Sequence, residues 1–238
     1  MRVIGVVPAY NESSRIAQVL RESLAYLDNV IVVDDGSSDD TSKVAAGACP
    51  EQGRGVDPRV IVLKHPVNRN QGAALRTGTQ AALMSGADVV VHLDADGQHD
   101  PKDLPILIKP ILDGQADIVL GSRFMGIEAT GMPILRRWVL KAGRWFNILA
   151  LGISKKVTDP QSGLRAMTAD AAKRINFHQD GKAHASEILR LVTRSGLRWM
   201  EVPAHVKYTE DTLTKVGTNR TTDAFSIAWN LFIGVFTK

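Results

Sequence analysis

The chain of 238 residues contains a single cysteine, Cys49, and this scarcity excludes two classes of protein. A disulfide-stapled domain needs paired cysteines, and a structural zinc site built on thiolates needs several. We therefore expect a reducing compartment, and the amino-terminal MRVIGVVPAY lacks the pattern of a secretory signal peptide. Together these absences predict a cytoplasmic protein.

Long hydrophobic runs are also missing, since no stretch approaches the roughly 18 apolar residues of a membrane-spanning helix. Hydrophobic residues make up 44% of the chain and charged residues 23%, which is ordinary for a soluble globular protein. The net charge of +4 is too small to indicate a nucleic-acid partner, and it suits a phosphate-rich ligand or an anionic membrane surface equally well. The oligomeric state stays open, with a homo-oligomer as one alternative.

Two common nucleotide-binding motifs are absent. A nicotinamide-binding domain carries GxGxxG after its first strand, whereas this chain has PAYNESS at 8–14. The phosphate-binding loop GxxxxGK[ST] does not occur either. The sequence therefore disfavours both a dinucleotide-dependent dehydrogenase and a nucleoside triphosphatase of the P-loop class.

What the first half does contain is a repeated alternation of strands and helices. Near-continuous apolar segments, without alternation between two faces, are typical of a parallel sheet covered by helices on both sides. Helical periodicity follows at 16–27, with Ser13 available as its N-cap, and again at 73–84 and 104–112. This order predicts an α/β fold. The predicted strands are RVIGVVPAY, NVIVVDDGS, RVIVLKHPV, DVVVHLDAD and DIVLGSRF.

After Phe124 the pattern changes. Residues 132–151 combine an apolar side with interleaved arginine and lysine, which predicts a basic amphipathic helix or helix pair. An ordinary surface helix with core tryptophans is the alternative. The tail 223–238 is apolar but too short to span a bilayer. We predict a single domain, 1–238, with a ligand-binding half at 1–124 and an acceptor-binding half at 125–238.

Polar side chains follow three of the predicted strands. They are Tyr10 to Glu12 after the first strand, Asp34 and Asp35 after the second, and Asp94 and Asp96 after the fourth. In open α/β sheets, ligands bind at the carboxyl ends of the strands. In an extended segment the two aspartates would face the same way, and Mg²⁺ or Mn²⁺ takes such carboxylates together with substrate phosphates. Solvated turn aspartates are the alternative.

Five motifs occur in the order typical of one enzyme family. They are VVPAYNE (6–12), VVDDGSSDDT (32–41), NRNQGAALRTG (68–78), LDADGQHDP (93–101) and ADIVLGSRF (116–124). The chain resembles the family 2 glycosyltransferases of GT-A fold, and most nearly their branch of dolichyl-phosphate-mannose synthases and polyprenyl-phosphate glycosyltransferases. A weaker similarity continues at DPQSGLRAM (159–167), where Leu164 replaces the usual phenylalanine.

The resemblance implies a mostly parallel, Rossmann-like central sheet flanked by helices, with a C-terminal helical region on the acceptor side. It also implies an inverting reaction that needs Mg²⁺ or Mn²⁺ and a nucleotide-sugar donor. The residues implied in donor binding are Pro8, Tyr10, Glu12, Asp34, Asp35, Asp94 and Ala95. Of the adjacent pair, Asp35 is the preferred contact to base or ribose. The implied metal ligands are Asp94, Asp96 and Gln98, and the implied catalytic residues are Asp96, Arg123 and Asp159.

Two classes of acceptor are possible, and they need different residues. A polyprenyl phosphate at a membrane surface arrives as an anion and needs cationic positioning, for which Arg136, Arg137, Lys215 and Arg220 are the candidates. A saccharide hydroxyl needs a general base, for which Asp159 and Glu187 are the candidates. Arg123 would bind a phosphate or form a surface salt bridge. A non-catalytic nucleotide-sugar-binding protein is the rival of another class. The preferred hypothesis places the enzyme peripherally on the cytoplasmic face of a membrane.

Overall fold

A computed structural model describes residues 1–48, 57–125, 148, 153–160, 162–181 and 183–206. Most of the predicted basic helix at 132–151 and all of the tail at 223–238 lie outside these ranges. The strands are β1 (Val3–Ala9), β2 (Asn29–Asp34), β3 (Val60–Lys64), β4 (Val89–His92), β5 (Ile118–Ser122), β6 (Arg165–Thr168) and β7 (Trp199–Pro203). The helices are α1 (Ile16–Ser23), α2 (Thr41–Ala46), α3 (Gln71–Met84), α4 (Leu104–Leu112), α5 (Ala169–Arg174) and α6 (His184–Arg194).

All these strands belong to one sheet of order β3-β2-β1-β4-β6-β5-β7. Strand β6 is antiparallel to both of its neighbours, and the other pairings are parallel. The predicted α/β architecture with a mostly parallel sheet is confirmed. The division of the chain at residue 124 stays a prediction.

Both faces of the sheet are covered, which explains the near-continuous apolar strands. Every residue of β1 is buried. Val3 and Val7 belong to the core that includes α1 and α4, whereas Ile4 and Val6 pack in the opposite layer with residues of α3 and α6. A strand that contributes alternate side chains to two apolar layers has no face left for polar residues.

The start of α1 corrects one prediction. The helix begins at Ile16 with Arg15 as its N-cap, and no side chain caps it. The carbonyl oxygen of Glu12 accepts hydrogen bonds from the backbone of Arg15 and Ile16, so a turn precedes the helix. Ser13 lies within that turn, and its backbone N–H donates to the carboxylate of Asp39 at 3.2 Å. Ser13 is therefore not the N-cap.

The topology brings distant parts of the chain to one edge of the sheet. Strands β1, β2, β4 and β5 run in the same direction, so their carboxyl ends share that edge. Strand β6 runs the opposite way and therefore begins there, which places the segment preceding Arg165 beside the ends of its neighbours. Among the described residues, no helix has the length and apolar character needed to cross a membrane.

Candidate active site

A cleft of about 400 Å³ opens at this edge of the sheet. Residues that follow β1, β2 and β4 line it together, so the predicted convergence of three strand ends is confirmed. Tyr10 is half exposed beside the cleft, with 48% of its surface accessible. The cleft contains all but one of the residues implied in donor binding, namely Pro8, Tyr10, Glu12, Asp35, Asp94 and Ala95, and it also contains the implied metal ligand Asp96.

The exception is Asp34, whose side chain is fully buried beside the cleft wall. One of its oxygens accepts from the backbone N–H of Ser37 at 2.8 Å, and the other accepts from the hydroxyl of Ser42 and lies 3.7 Å from Nζ of Lys64. Burial raises the pKa of Asp34, but the hydrogen bonds from the two serines outweigh it, so the pKa lies below its ordinary value. Asp34 holds the turn, and Asp35 faces the ligand space.

Asp35 is held from behind by a buried histidine. Nδ1 of His65 lies 2.6 Å from Oδ1 of Asp35, and the same oxygen accepts from the backbone N–H of Arg69 at 3.0 Å. The other ring nitrogen of His65 lies 3.0 Å from the hydroxyl of Thr77 on α3. His65 follows β3 directly, and the sequence analysis gave it no role because a lone histidine after a strand carries no motif.

The two aspartates of the DAD segment reach the cleft by a geometry that differs from the prediction. Strand β4 ends at His92, and Ala95 and Asp96 form a turn, so the segment is not extended. Oδ1 of Asp96 closes this turn by accepting from the backbone N–H of Gln98 at 3.0 Å. The turn, rather than the alternation of a strand, brings both carboxylates to one cleft.

The neighbours of these carboxylates set their charge. Burial raises the pKa of Asp94, but the hydrogen bond and charge of His99 and the charges of Arg165 and His184 outweigh it, and the pKa is lowered. Burial and the adjacent charge of Asp94 raise the pKa of Asp96. A divalent cation between the two would relieve this repulsion, because hard cations take carboxylate oxygens together with phosphate oxygens. The oxygen donors present fit such an ion.

Gln98, an implied metal ligand, and its neighbour His99 both contact the aspartates of this segment. The amide nitrogen of Gln98 donates to Oδ2 of Asp96 at 2.7 Å, and Gln98 is not among the residues that line the cleft. Nε2 of His99 lies 3.2 Å from Oδ2 of Asp94. His99 thus supports Asp94 from behind. Within the described residues, no group of three or more His, Cys, Asp or Glu side chains is arranged to hold a metal.

The loop between β3 and α3 supplies a wall that the sequence analysis missed. Asn68, Asn70 and Gln71 line the cleft, and the amide of Gln71 donates to Oδ1 of Asp94 at 2.9 Å. Asn70 has a φ of 73°, a left-handed conformation that asparagine tolerates better than most residues. The motif NRNQG was noted, but its polar amides had no role assigned.

The segment before β6 packs directly against Asp94. A Cβ placed on Gly163 would lie 2.3 Å from Oδ2 of Asp94, so only glycine leaves room for the carboxylate. Two residues further, Arg165 is buried, and burial lowers its pKa to about 10. Its Nη2 donates to the carbonyl oxygen of Ser162 at 3.2 Å. The weak similarity at 159–167 therefore falls on a segment of the site.

A second group of residues lies at the end of β5. Nε and Nη2 of Arg123 donate to the two oxygens of Asp159, both at 2.6 Å, and the backbone N–H of Arg123 donates to Oδ2 at 3.1 Å. Both side chains are at least nine-tenths buried. This is a buried, two-pronged ion pair, whereas the sequence analysis considered a phosphate contact or a surface salt bridge for Arg123. Neither residue is among those that line the cleft.

A comparison with known families decides the class of the protein. A family model described as glycosyl transferase family 2 matches residues 6–175. The chain belongs to that family. The match includes all five motifs quoted above and the segment 159–167, and it ends before α6 and β7. The family membership that the motifs implied is confirmed, and the protein is a glycosyltransferase.

Two relatives cover most of this family 2 chain. A UDP-N-acetylglucosamine–dolichyl-phosphate N-acetylglucosaminyltransferase of Methanococcus voltae is 36% identical over 225 residues, or 90% of this chain and 88% of that protein. An undecaprenyl-phosphate mannosyltransferase of Micrococcus luteus is 33% identical over 210 residues, or 85% of this chain and 82% of that protein. Both names contain a polyprenyl phosphate, so the resemblance to that branch of the family is confirmed.

A solved structure shares the fold. Glucosyl-3-phosphoglycerate synthase from Mycobacterium tuberculosis, crystallised with Mn²⁺, uridine diphosphate and phosphoglyceric acid, superposes with a TM-score of 0.67 at 21% identity. The alignment covers 91% of this chain and 73% of that one. At this identity the likeness shows the fold alone, which is the GT-A fold expected from the motifs.

The remaining predicted residues of this glycosyltransferase divide into two groups. Arg136, Arg137, Lys215 and Arg220 lie outside the described residues. Glu187, the second candidate base, is on α6, where one carboxylate oxygen accepts from the backbone N–H groups of His178 and Gln179 at 3.0 and 2.8 Å. Glu187 thus closes the turn that precedes its own helix.

Proposed function

We propose that this protein transfers a sugar from a nucleotide diphosphate sugar to a polyprenyl or dolichyl phosphate at a membrane surface, in a metal-dependent reaction that inverts the anomeric centre. The observation that supports it most is the cleft in which Asp35, Asp94 and Asp96 meet at the carboxyl ends of three strands. A carboxylate for the nucleoside and a carboxylate pair for a cation are the groups that a nucleotide diphosphate sugar requires.

The donor would lie along the cleft. Oδ1 of Asp35 is occupied by His65 and Arg69, and its Oδ2 has no hydrogen bond to a described residue, so this oxygen is placed to accept from the base or ribose. Tyr10 offers a half-exposed ring for stacking. The donor is a GDP-mannose or UDP-glucose type of molecule, and the UDP-sugar in the name of the Methanococcus voltae relative favours uridine.

Asp94 and Asp96 would hold the Mg²⁺ or Mn²⁺, with Gln98 as a further ligand after its amide turns. The bound cation supplies positive charge where the leaving diphosphate gains negative charge. The Mycobacterium tuberculosis structure with Mn²⁺ and uridine diphosphate shares the fold and supports this assignment. Gln71 and His99 orient Asp94 through both of its oxygens.

The hydrogen bonds of the two candidate general bases favour a phosphate acceptor over a saccharide hydroxyl. A saccharide hydroxyl would need a general base, yet Asp159 is ion-paired with Arg123 and Glu187 accepts two backbone N–H groups. A phosphate acceptor is already anionic and needs no base. In this proposal Asp159 orients Arg123, which binds phosphate, and Asp96 acts through the cation. The dolichyl- and undecaprenyl-phosphate names of the relatives support the same acceptor class.

The test is sugar transfer to a short-chain polyprenyl phosphate in detergent. GDP-mannose, UDP-glucose and UDP-N-acetylglucosamine are offered separately with Mg²⁺ or Mn²⁺, and product is followed in the lipid phase. We expect a lipid-linked sugar that disappears with chelator and in Asp96→Asn. Asp113→Asn, an exposed aspartate at the end of α4, is the matched control and should keep full activity.

Two results would contradict the proposal. If the product forms equally well with chelator and in Asp96→Asn, the reaction does not depend on a metal. Slow hydrolysis of the donor without lipid product, together with transfer to a sugar alcohol or oligosaccharide, would favour the saccharide acceptor instead. That second outcome also predicts loss of transfer in Asp159→Asn with donor binding retained.

A further inference from the structure

A carboxylate on β7 reaches the segment that carries Asp159. Glu201 accepts from the backbone N–H of Thr158 at 3.0 and 2.9 Å, and from the backbone N–H of Asp159 at 3.3 Å. Its Oε2 also accepts from the hydroxyl of Thr158 at 2.7 Å. Glu201 lies opposite Leu120 in the pairing of β7 with β5, so it approaches this segment from the last strand of the sheet.

The hydroxyl of Thr158 extends the contact from the Asp159 segment to the segment that carries Arg123. Its oxygen lies 2.6 Å from the hydroxyl of Ser122, which accepts from the backbone N–H of Phe124 at 3.2 Å. An ionised carboxylate can only accept, so Thr158 gives its proton to Glu201 and must accept from Ser122. The hydrogen bonds therefore run in one direction, from Phe124 through the two hydroxyls to Glu201.

These contacts fix the backbone next to Arg123 and next to its partner Asp159. Ser122 and Phe124 flank it in the chain, and Thr158 precedes its partner Asp159. The Arg123–Asp159 pair is short, buried and two-pronged, so its orientation follows the two backbone segments that carry it. Both segments are tied to one side chain, Glu201, and neither is part of a helix.

We propose that Glu201 is the positioning residue of the Arg123–Asp159 pair, acting through the hydroxyls of Thr158 and Ser122. The proposal rests on the function proposed above, in which Arg123 binds phosphate during sugar transfer. Loss of Glu201 leaves two backbone N–H groups and a threonine hydroxyl without their acceptor, and the turn carrying Asp159 shifts to find others. The guanidinium of Arg123 is then no longer held in the orientation that binds phosphate. The nucleotide cleft at the ends of β1, β2 and β4 keeps its structure.

The test compares Glu201→Ala, Thr158→Val and the double variant. In each we expect kcat for sugar transfer to fall about ten- to hundredfold, as for a catalytic group misplaced by about an ångström, while KM for the nucleotide sugar changes less than about twofold. Because both residues act in one chain of hydrogen bonds, the double variant should be no slower than the slower single variant. Additive losses, or kcat and KM changing in parallel, would refute the proposal.

Asp117→Asn is the matched control. Asp117 is a carboxylate that accepts from the backbone and guanidinium of Arg198, the residue just before β7. Its loss disturbs the same part of the sheet without touching the Arg123–Asp159 pair. We expect unchanged kcat in Asp117→Asn, and a loss equal to that of Glu201→Ala would mean that sheet stability alone explains the result.

A spectroscopic readout separates this inference from the proposed function. The Nε–H resonance of Arg123 is assigned by its disappearance in Arg123→Lys, in protein without substrate. It should shift in Glu201→Ala and in Thr158→Val, and stay in place in Asp117→Asn. If the wild type transfers no sugar to polyprenyl phosphate, the proposed function fails while this resonance still decides the positioning role. A resonance unmoved in both variants would overturn the inference.

Discussion

Nδ1 of His65 lies 2.6 Å from Oδ1 of Asp35, where β2 and β3 end in the wall of the nucleotide cleft. His65 is buried, and its second nitrogen is held by Thr77 of α3. The carboxylate of Asp35 is thus fixed by residues of β3 and α3 before any ligand arrives. Preorganisation of this kind lowers the entropy that binding would otherwise have to overcome.

His65→Phe should weaken donor binding. The ring volume is retained, but both side-chain hydrogen bonds are lost and Asp35 gains freedom to rotate. We expect the Kd for the nucleotide diphosphate to rise about tenfold, which corresponds to one charge-assisted hydrogen bond. Calorimetric titration in the presence of Mn²⁺ measures it. His178→Phe, an exposed histidine before α6, is the control, and equal Kd values in the two variants would refute a role for His65.

Gly163→Ala should damage the proposed metal site while leaving the fold in place. The added Cβ would meet the carboxylate of Asp94 at 2.3 Å, and the end of that side chain can move without unfolding the sheet. We expect transfer to fall about ten- to hundredfold, as for other small displacements of catalytic groups. The Mn²⁺ concentration for half-maximal activity should rise.

Gly181→Ala is the matched control for that substitution, because a Cβ at Gly181 meets no atom of a described residue within 4 Å. Its activity and metal dependence should equal those of the wild type. A Gly163→Ala protein with normal metal dependence would show that Asp94 does not need the space that glycine leaves.

His184 should make stability depend on pH. Burial, with the charge of Arg165, lowers the pKa of His184 to about 4. Between pH 6.5 and 4 the unfolded chain binds the proton and the folded protein does not, so the free energy of unfolding falls as the pH falls. The contribution of His184 to the free energy of unfolding does not change above pH 6.5. It decreases by on the order of 3 kcal/mol as the pH falls from 6.5 to 4.

His184→Gln should therefore flatten the pH profile of unfolding in that window. Urea denaturation between pH 4 and 7, with chelator present, measures the slope. His178→Gln removes an exposed histidine from the preceding loop and should keep the wild-type slope. An unchanged slope in His184→Gln would contradict the lowered pKa.

Much of this glycosyltransferase could be predicted from the sequence because the relevant signals are local. The apolar runs of β1, β2 and β4 reveal strands buried on both faces, since a doubly covered strand has no polar side. Polar residues at the ends of these strands predict the cleft, because parallel strands bring their carboxyl ends to one edge. Asp35, Asp94 and Asp96 were found in this way, and the family motifs named the same residues.

What only the tertiary structure decided are the contacts between residues far apart in the chain. The antiparallel course of β6 brings Gly163 against Asp94 and places Asp159 beside Arg123. Strand β7 adds Glu201 to the same group. No periodicity or short motif encodes such pairs, because they depend on strand order and direction. The choice between Asp34 and Asp35 also needed the structure, since both residues are buried and only Asp35 lines the cleft.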